Sequence, residues 1–319
     1  MVRFVLRRAL SGVVVLWFVA TVVFLMYFVA PHDVARLLAG RQATSQTIGA
    51  VSRTLGLSRP VLAQYGSFLW RALHGNLGYS YSNSTPVTTL IAHGFPVTFS
   101  VAAGGAVIWL VIGVSAGVLA AGRPRSLVDR ATTGAAVLVY SMPTFLLGEL
   151  FLLLLFFELH KGGINWFPAA GYIPLTQSPG GWAVHMILPW LTIALVSAAI
   201  YTRLARASML EVLGEDYVRT ARAKGLTERR VRYRHALRAA LTPVATQFGI
   251  DLGTLLGGVI VTETVFGLPG LGQLAINSIS QQDLPTIIGL VLLGTAFVVV
   301  ANVLVDVAYA LLDPRVLPS

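Results

Sequence analysis

The residues with the most chemical character in this chain sit where polar chemistry is costly. Of 319 residues, 55% are hydrophobic and 11% charged, where a soluble domain carries about 25% charged residues. Within the apolar run around "GIDLGTLLGG", Gln247, Asp251, Thr254, Gly258 and Thr262 recur at i, i+4, i+7, i+11 and i+15. A helix would carry them as one polar stripe. An ionisable group at membrane depth costs about 2.5–3.5 kcal/mol on insertion scales, so it faces a cavity or a partner. The stripe therefore either lines a solute path or forms a polar seam between helices, with Asp251 hydrogen-bonded or protonated; the path is the favoured expectation. Glu149, six residues past Pro143, is balanced between the path and a structural pairing. Asn302, Asp306, Tyr309 and Asp313 share a face near the cytoplasmic end of the expected sixth span and read as a solvated helix end or an internal pair with an Arg. Gly249, Gly253 and Gly257 repeat every fourth residue, the spacing at which another helix can approach closely.

Several chemistries are excluded at once. There is no Cys, so this chain offers no disulfide, thiolate zinc site or Fe–S ligands. The six His include no pair at i, i+3 or i, i+4, and no metal site is expected. A phosphate-binding P-loop needs GxxxxGK followed by Ser or Thr. The two Lys, Lys161 and Lys224, are each followed by Gly. The chain is expected to bind no cofactor and to be no enzyme; ATP and Mg²⁺, if used, belong to partner subunits.

The elements that must position these residues are membrane spans. A span needs about 20 apolar residues, and Ala9–Ala30, Val97–Ala121, Ala131–Leu159, Met186–Tyr201, Thr242–Phe266 and Thr286–Leu312 qualify. The fourth is short unless its helix continues through Arg203 and Arg206, whose side chains could snorkel to the headgroups. The first follows the basic "MVRFVLRRAL". Its apolar run is too long for a signal peptide, and Phe28 and Ala30 supply no small-x-small cleavage site, so an uncleaved anchor is expected. The net charge of +10 reads as the membrane's own positive-inside rule rather than as a nucleic-acid surface. With the N-terminus inside, seventeen of the 23 Lys and Arg fall in cytoplasmic segments. The expectation is an all-α membrane protein with six transmembrane helices and both termini cytoplasmic. Its parts are an anchor helix (1–30), an extracytoplasmic segment (31–96) and a core (97–319). In the outer segment, Val61, Tyr65, Phe68 and Leu69 mark one face of an amphipathic helix, either a lid on the bundle or a docking surface.

One stretch breaks the apolar pattern. "DYVRTARAKGLTERRVRYRHALR", residues 216–238, holds eight Lys and Arg. Asp216 is a good N-cap and Gly225 falls where a helix C′ position wants glycine, so a two-turn helix is expected over Tyr217–Lys224. Thr227 can cap a second helix running towards Pro243. A two-turn helix is too short to stand alone in water. Tyr217, Ala221 and Lys224 share one shallow face, expected to seat in a cleft of another protein.

At this point the chain resembles a family. "YVRTARAKGL" followed by "RHALRAALTPV" resembles the coupling segment of ABC importer permeases, closest to the dipeptide, oligopeptide and nickel subfamily. The family's Glu-Ala-Ala, three residues, then Gly falls here on Arg219, Thr220, Ala221 and Gly225. Glu and the first Ala are replaced and Pro243 lies further downstream, as is usual in the peptide subfamily. "RFVLRRAL…VVFLMYFVAP", "LGLSRPVLAQYGSFLWRALHGNLGYSY", "VTETVFGLPGLGQL" and "LLDPRV" resemble the subfamily along nearly the whole chain. The resemblance implies a type I importer permease fold in a prokaryotic inner membrane, with a cytoplasmic coupling segment at 214–240. It implies that Tyr217, Val218, Arg219, Thr220, Ala221, Lys224, Gly225 and Leu226 engage an ATPase. The implied partners are a homologous second permease, two cytoplasmic ATPase subunits or domains and an extracytoplasmic solute-binding protein, with no nucleic acid. The solute is not legible. The alternative is a gradient-driven secondary transporter working through Asp251, Glu149 or Asp306.

The charge distribution makes a direct prediction. A reporter fused after Ser319 will be active only as a cytoplasmic type, and one inserted in the 31–96 loop will behave as exported. The reverse pattern would overturn the assignment of sides.

Overall fold

Apolar runs of this length leave the backbone one good choice in lipid, the helix, which satisfies its N–H and C=O groups within the segment. The computed structural model describes residues 2–26, 44–46, 49 and 59–312, and among these regular structure is helical apart from an isolated bridge between Tyr79 and Pro86. The main helices are α1 (Val2–Phe24), α2 (Val61–Leu73), α3 (Val87–Ala121), α4 (Leu127–Tyr140), α5 (Thr144–Lys161), α6 (Pro179–Leu213), α7 (Asp216–Ala223), α8 (Leu237–Val265), α9 (Leu271–Ser280) and α10 (Leu284–Leu312). Short helical turns at Glu228–Arg230 and Val231–Ala236 lead into α8.

Among the described residues, four helices are long and apolar enough to cross a membrane: Leu6–Phe24, Val87–Ala121, Pro179–Leu213 and Leu284–Val305. The pair α4 and α5 makes a fifth if it counts as one span. This pair covers the expected third span, Ala131–Leu159, but it bends by 101° where one continuous span was expected. Pro143, with φ −58° and ψ 139°, leaves the helical region there and restarts the chain as the cap of α5. The fourth span does continue through Arg203 and Arg206, to Leu213. Its 35 residues make about 52 Å of helix. The expected fifth span is covered by the 29-residue α8.

The chain divides into two compact units. One comprises residues up to Gly94 together with Leu274–Ala310. Here α10 belongs with the N-terminal helices. Phe24 on α1 packs 5.1 Å from the Tyr65 ring and 5.7 Å from that of Phe68 on α2, and Ile288 on α10 closes the same cluster. Gly12 lies against Val299, where a side chain would collide. The stretch Ser80–Ser82 is tied down by Asp283, which is fully buried just before α10. Its carboxylate accepts from Ser80 Oγ (2.5 Å), Tyr81 N (3.0 Å), Ser82 Oγ (3.0 Å) and Thr286 Oγ1 (2.8 Å). Burial opposes the charged form of Asp283, but these hydrogen bonds, led by that from Ser80, outweigh it and hold the carboxyl below its ordinary value.

The second unit, Phe95–Gln273, is organised around α6, which packs on α4, α5 and α8. Trp109, Met186, Leu188, Tyr201, Val259 and Phe266 are among its core. The contact of α3 with α6 is set by glycine. A Cβ on Gly113 would lie 2.5 Å from Tyr201 Cβ, and one on Gly117 would lie 2.6 Å from the carbonyl oxygen of Thr202. Sequence reading assigned close packing to Gly249, Gly253 and Gly257 and passed over "GVSAG", which has the same small-xxx-small spacing. Gly249 is buried and Gly253 half-buried on α8, while the surroundings of Gly257 fall outside the described residues.

Where α8 ends, Glu263 is fully buried. It accepts from Thr98 Oγ1 (2.5 Å), Gly272 N (2.7 Å) and Gln273 N (3.2 Å), while Leu271 N donates to Thr98 Oγ1 (2.8 Å). The carboxylate thus caps α9, whose first amides have no partner within the helix. This accounts for "ETVFGLPGLG". Gly267 sits at φ +55°, and a Cβ on Gly272 would lie 2.6 Å from Ile260 Cα.

The Asp283 knot gives a prediction with a definite sign. Its lowered pKa means that the stabilisation is present above the ordinary carboxylate value and is lost as pH falls through the folded one. Asp283→Ala leaves buried hydroxyls and one amide without an acceptor, at a cost of about 1–3 kcal/mol. The protection factor of the Tyr81 amide, taken against the intrinsic exchange rate at each pH, will fall by about tenfold or more, in the variant at neutral pH and in the native chain at acid pH. Unchanged protection in both cases would show that other contacts hold the segment.

Candidate functional site

The basic segment forms two helical pieces joined by a tight turn. Asp216–Ala223 is helical, but Glu215, at φ −67° and ψ 149°, occupies the cap position expected for Asp216, which lies inside the first turn. There its negative charge still complements the helix dipole. The stop is as expected. Gly225 has φ +78°, Gly225 N donates to Arg222 O (2.9 Å) and Leu226 N to Ala221 O (3.4 Å). These two bonds make a Schellman end, which needs the left-handed conformation that Gly adopts without strain. Thr227 occupies the next cap position with extended backbone, but its hydroxyl makes no capping bond.

A helix this short must rest on something, and it rests on its own chain. Val218 is fully buried and Ala221 is 7% exposed. They pack with Val231, Val212, Leu213 and Leu226. Burying Val218 contributes about 1.5–3 kcal/mol. This corrects the face expected from spacing: Ala221 points inward on its own chain, because the small side chain lets α7 sit close to the body beneath it. The side chains left outward are Tyr217, Arg219, Thr220 and Lys224, with Leu226 half-buried beyond the turn.

Polar bonds fasten the same piece. Arg222 donates from Nε and Nη2 to the two oxygens of Glu228 (3.1 and 3.0 Å) and from Nη1 to Leu213 O (3.2 Å). One guanidinium thus joins the end of α6, α7 and the following turn. The bonds from Arg222 hold the Glu228 carboxyl below its ordinary value. Two further arginines reach the loop after α3 and the first turn of α4. Arg232 donates to Gly122 O (3.0 Å), and Arg206 grips Asp129 through Nε (2.5 Å) and Nη2 (2.8 Å). Arg206 therefore does not snorkel. Asp129 is buried and offers a fixed bidentate partner, which suits the planar guanidinium.

The polar stripe on α8 is engaged within the protein. Tyr201 OH on α6 donates to Asp251 Oδ2 (2.7 Å), and Gln247 Nε2 donates to Asp251 Oδ1 (2.9 Å). The Tyr201 ring lies 6.0 Å from that of Trp109. At the other end of the stripe, Thr262 is buried. The surroundings of Thr254, Gly258 and Asp306 fall outside the described residues, as do those of Tyr309 and Asp313. Glu149 is exposed on α5. Tyr201, Asp129 and Glu263 were not singled out from sequence. Each is one half of a pairing whose other half is distant along the chain. Only the position of Glu263 inside the apolar Thr242–Phe266 run, where a carboxylate must find donors, could have signalled one of them.

Comparison with known proteins identifies the family. Residues 113–318 match the family model described as binding-protein-dependent transport system inner membrane component, and residues 1–102 match its N-terminal companion. A probable peptide ABC transporter permease protein of Sinorhizobium fredii is 38% identical over 313 residues, 98% of each chain. A glutathione transport system permease protein of Escherichia coli is 38% identical over 316 residues, and a dipeptide transport system permease protein of Escherichia coli is 36% identical over 344. Each of these two alignments covers 99% of both chains.

The Asp251 bonds separate seam from path. Asp251→Leu strands the Tyr201 hydroxyl and will lower the thermal unfolding midpoint in detergent, at a cost of about 1–3 kcal/mol. Tyr201→Phe combined with Asp251→Leu removes both halves and will regain part of the loss. If Asp251→Leu instead leaves stability intact and abolishes transport, the carboxylate serves the path.

Proposed function

The chain belongs to the binding-protein-dependent transport system inner membrane components, and from that premise we propose that it is a membrane-spanning subunit of an ATP-driven importer of short peptides. The substrate class rests on relatives named for peptide, glutathione and dipeptide transport. On this reading six spans cross the inner membrane with both termini cytoplasmic, and this chain forms half of the solute path beside a homologous permease. Two ATPase subunits hold the nucleotide and Mg²⁺ and perform the hydrolysis. A solute-binding protein delivers cargo on the outer side. Gln247, Asp251, Thr254, Gly258, Thr262 and Glu149 are the residues proposed to border the path, with Asp251 also tying α8 to α6. A gradient-driven carrier using Asp251, Glu149 or Asp306 is the reading this one replaces.

The observation that carries the proposal is the seating of α7. A lone two-turn helix would move without taking anything with it. This one is joined to the end of α6 by Arg222 and to the run leading into α8 through the contact of Val218 and Ala221 with Val231. A push on the outward face of Tyr217, Arg219, Thr220 and Lys224 is therefore delivered to helices that enter the membrane. A type I importer needs this linkage between ATPase closure and the path.

The experiment separates the outward face from the seat. Thr220→Trp adds bulk on the outward face and leaves the packing beneath untouched, so membrane abundance will be normal while the ATPases are lost from the purified complex. Ala221→Glu places a charge under α7, and Gly225→Val forces a β-branched residue into a left-handed turn. Both will uncouple hydrolysis from solute. Arg229→Ala is the control. Wild-type uptake in all three variants would reduce the segment to a topological anchor.

A further inference from the structure

Helix α2 shows three faces at helical spacing. The first, with Tyr65, Phe68 and Leu69, packs on Val19, Ala20, Val23 and Phe24 of α1 and on Ile288 and Leu292 of α10. Tyr65 OH also lies 2.6 Å from Thr21 Oγ1. The second face is apolar yet open: Leu62 is 84% exposed, Trp70 65% and Leu73 81%. The third is polar, with Ser67 and Arg71. Packing on the protein accounts for the first face and water for the third. Neither accounts for the second.

The depth at which α2 packs identifies what covers that face. Its contacts on α1 lie in the last turns of the candidate span Leu6–Phe24. Those on α10 lie four and eight residues past Leu284, where the apolar window begins, and so about 6 and 12 Å along that helix. These are the ends of two spans on one side of the membrane. The interfacial boundary, where amphipathic helices bury an apolar face about 5–10 Å deep, lies at this level. Exposed apolar side chains also stand on the same stretches of α1 and α10, Val22 and Leu25 on the first and Val291 on the second.

We propose that α2 is an interfacial helix lying in the headgroup boundary on the non-cytoplasmic side, with Leu62, Trp70 and Leu73 among the acyl chains and Ser67 and Arg71 in water. Trp70, its ring tilted against that of His74 at 4.2 Å, is the residue type enriched at that boundary. The helix thereby fixes the depth of the outer ends of α1 and α10. The inference requires that these two helices span the bilayer and is independent of what the transporter carries.

The chain has no Cys, so single thiols can be placed at will. Leu62→Cys, Leu73→Cys, Ser67→Cys and Arg71→Cys are each spin-labelled in the complex with cysteine-free partner subunits, in vesicles of phosphatidylethanolamine and phosphatidylglycerol. The ratio of collision rates with oxygen over a water-soluble nickel chelate will be several-fold higher at positions 62 and 73 than at 67 and 71. High nickel access at 62 and 73 overturns the proposal in favour of a water-facing surface. Exclusion of both probes with an immobilised label overturns it in favour of a protein partner. Native tryptophan fluorescence gives a second measure that needs no label. Brominated phosphatidylcholine will quench a component that Trp70→Phe removes, and an unchanged quenched fraction in Trp70→Phe overturns the proposal.

Discussion

A carboxylate inside an apolar helical protein must find its donors in the protein itself, and the architecture of this chain turns on where those donors are. Glu263 is answered by Thr98 and the first amides of α9, Asp129 by Arg206 and Asp283 by the hydroxyls of the outer segment. An unanswered charge at these depths would cost more than most single packing contacts contribute. Each carboxylate is therefore a joint. It holds a turn, a loop or a helix start in one place because moving that element away would strand the charge.

The joints around the basic segment share one design. Arginines, which sequence reading treats as topological markers, reach from one helix into the loop of another. Arg222 collects the end of α6 and the turn after α7, Arg232 takes the Gly122 carbonyl, and Arg206 takes Asp129. Of these bonds, the exposed pair of Arg222 with Glu228 contributes little stability, while the buried Asp129 carboxylate depends on Arg206. The shared value of these arginines lies in geometry, since a planar guanidinium with several donors fixes the relative position of the groups it binds. A segment built this way can transmit displacement, as the proposed coupling role requires.

In the other unit, aromatic packing among Phe24, Tyr65 and Phe68 and the Asp283 knot bind α2 and the stretch Ser80–Ser82 to the helices beside them. The close approach of Gly12 to Val299 belongs to the same body. The second unit likewise relies on glycine for the approach of α3 to α6, where small residues replace the hydrophobic driving force that lipid does not supply.

The primary structure by itself determined the helical class, most of the apolar helices, the absence of ATP-binding and metal-ligating patterns, and the stop of the short basic helix at Gly225. Those features are local: apolar length, residue spacing and the backbone freedom of one glycine decide them within a few turns. The tertiary structure decided which face of a helix turns inward and which polar groups meet. Periodicity placed Ala221 on a face with Tyr217 but could not say that the face with Val218 would be the buried one, since that depended on Val231 and Leu213 packing there. Arg206 and Asp129 stand 77 residues apart and Thr98 and Glu263 stand 165 apart. No local rule relates residues at such separations; the bundle brings them together, and desolvation in an apolar interior then makes each partner necessary to the other.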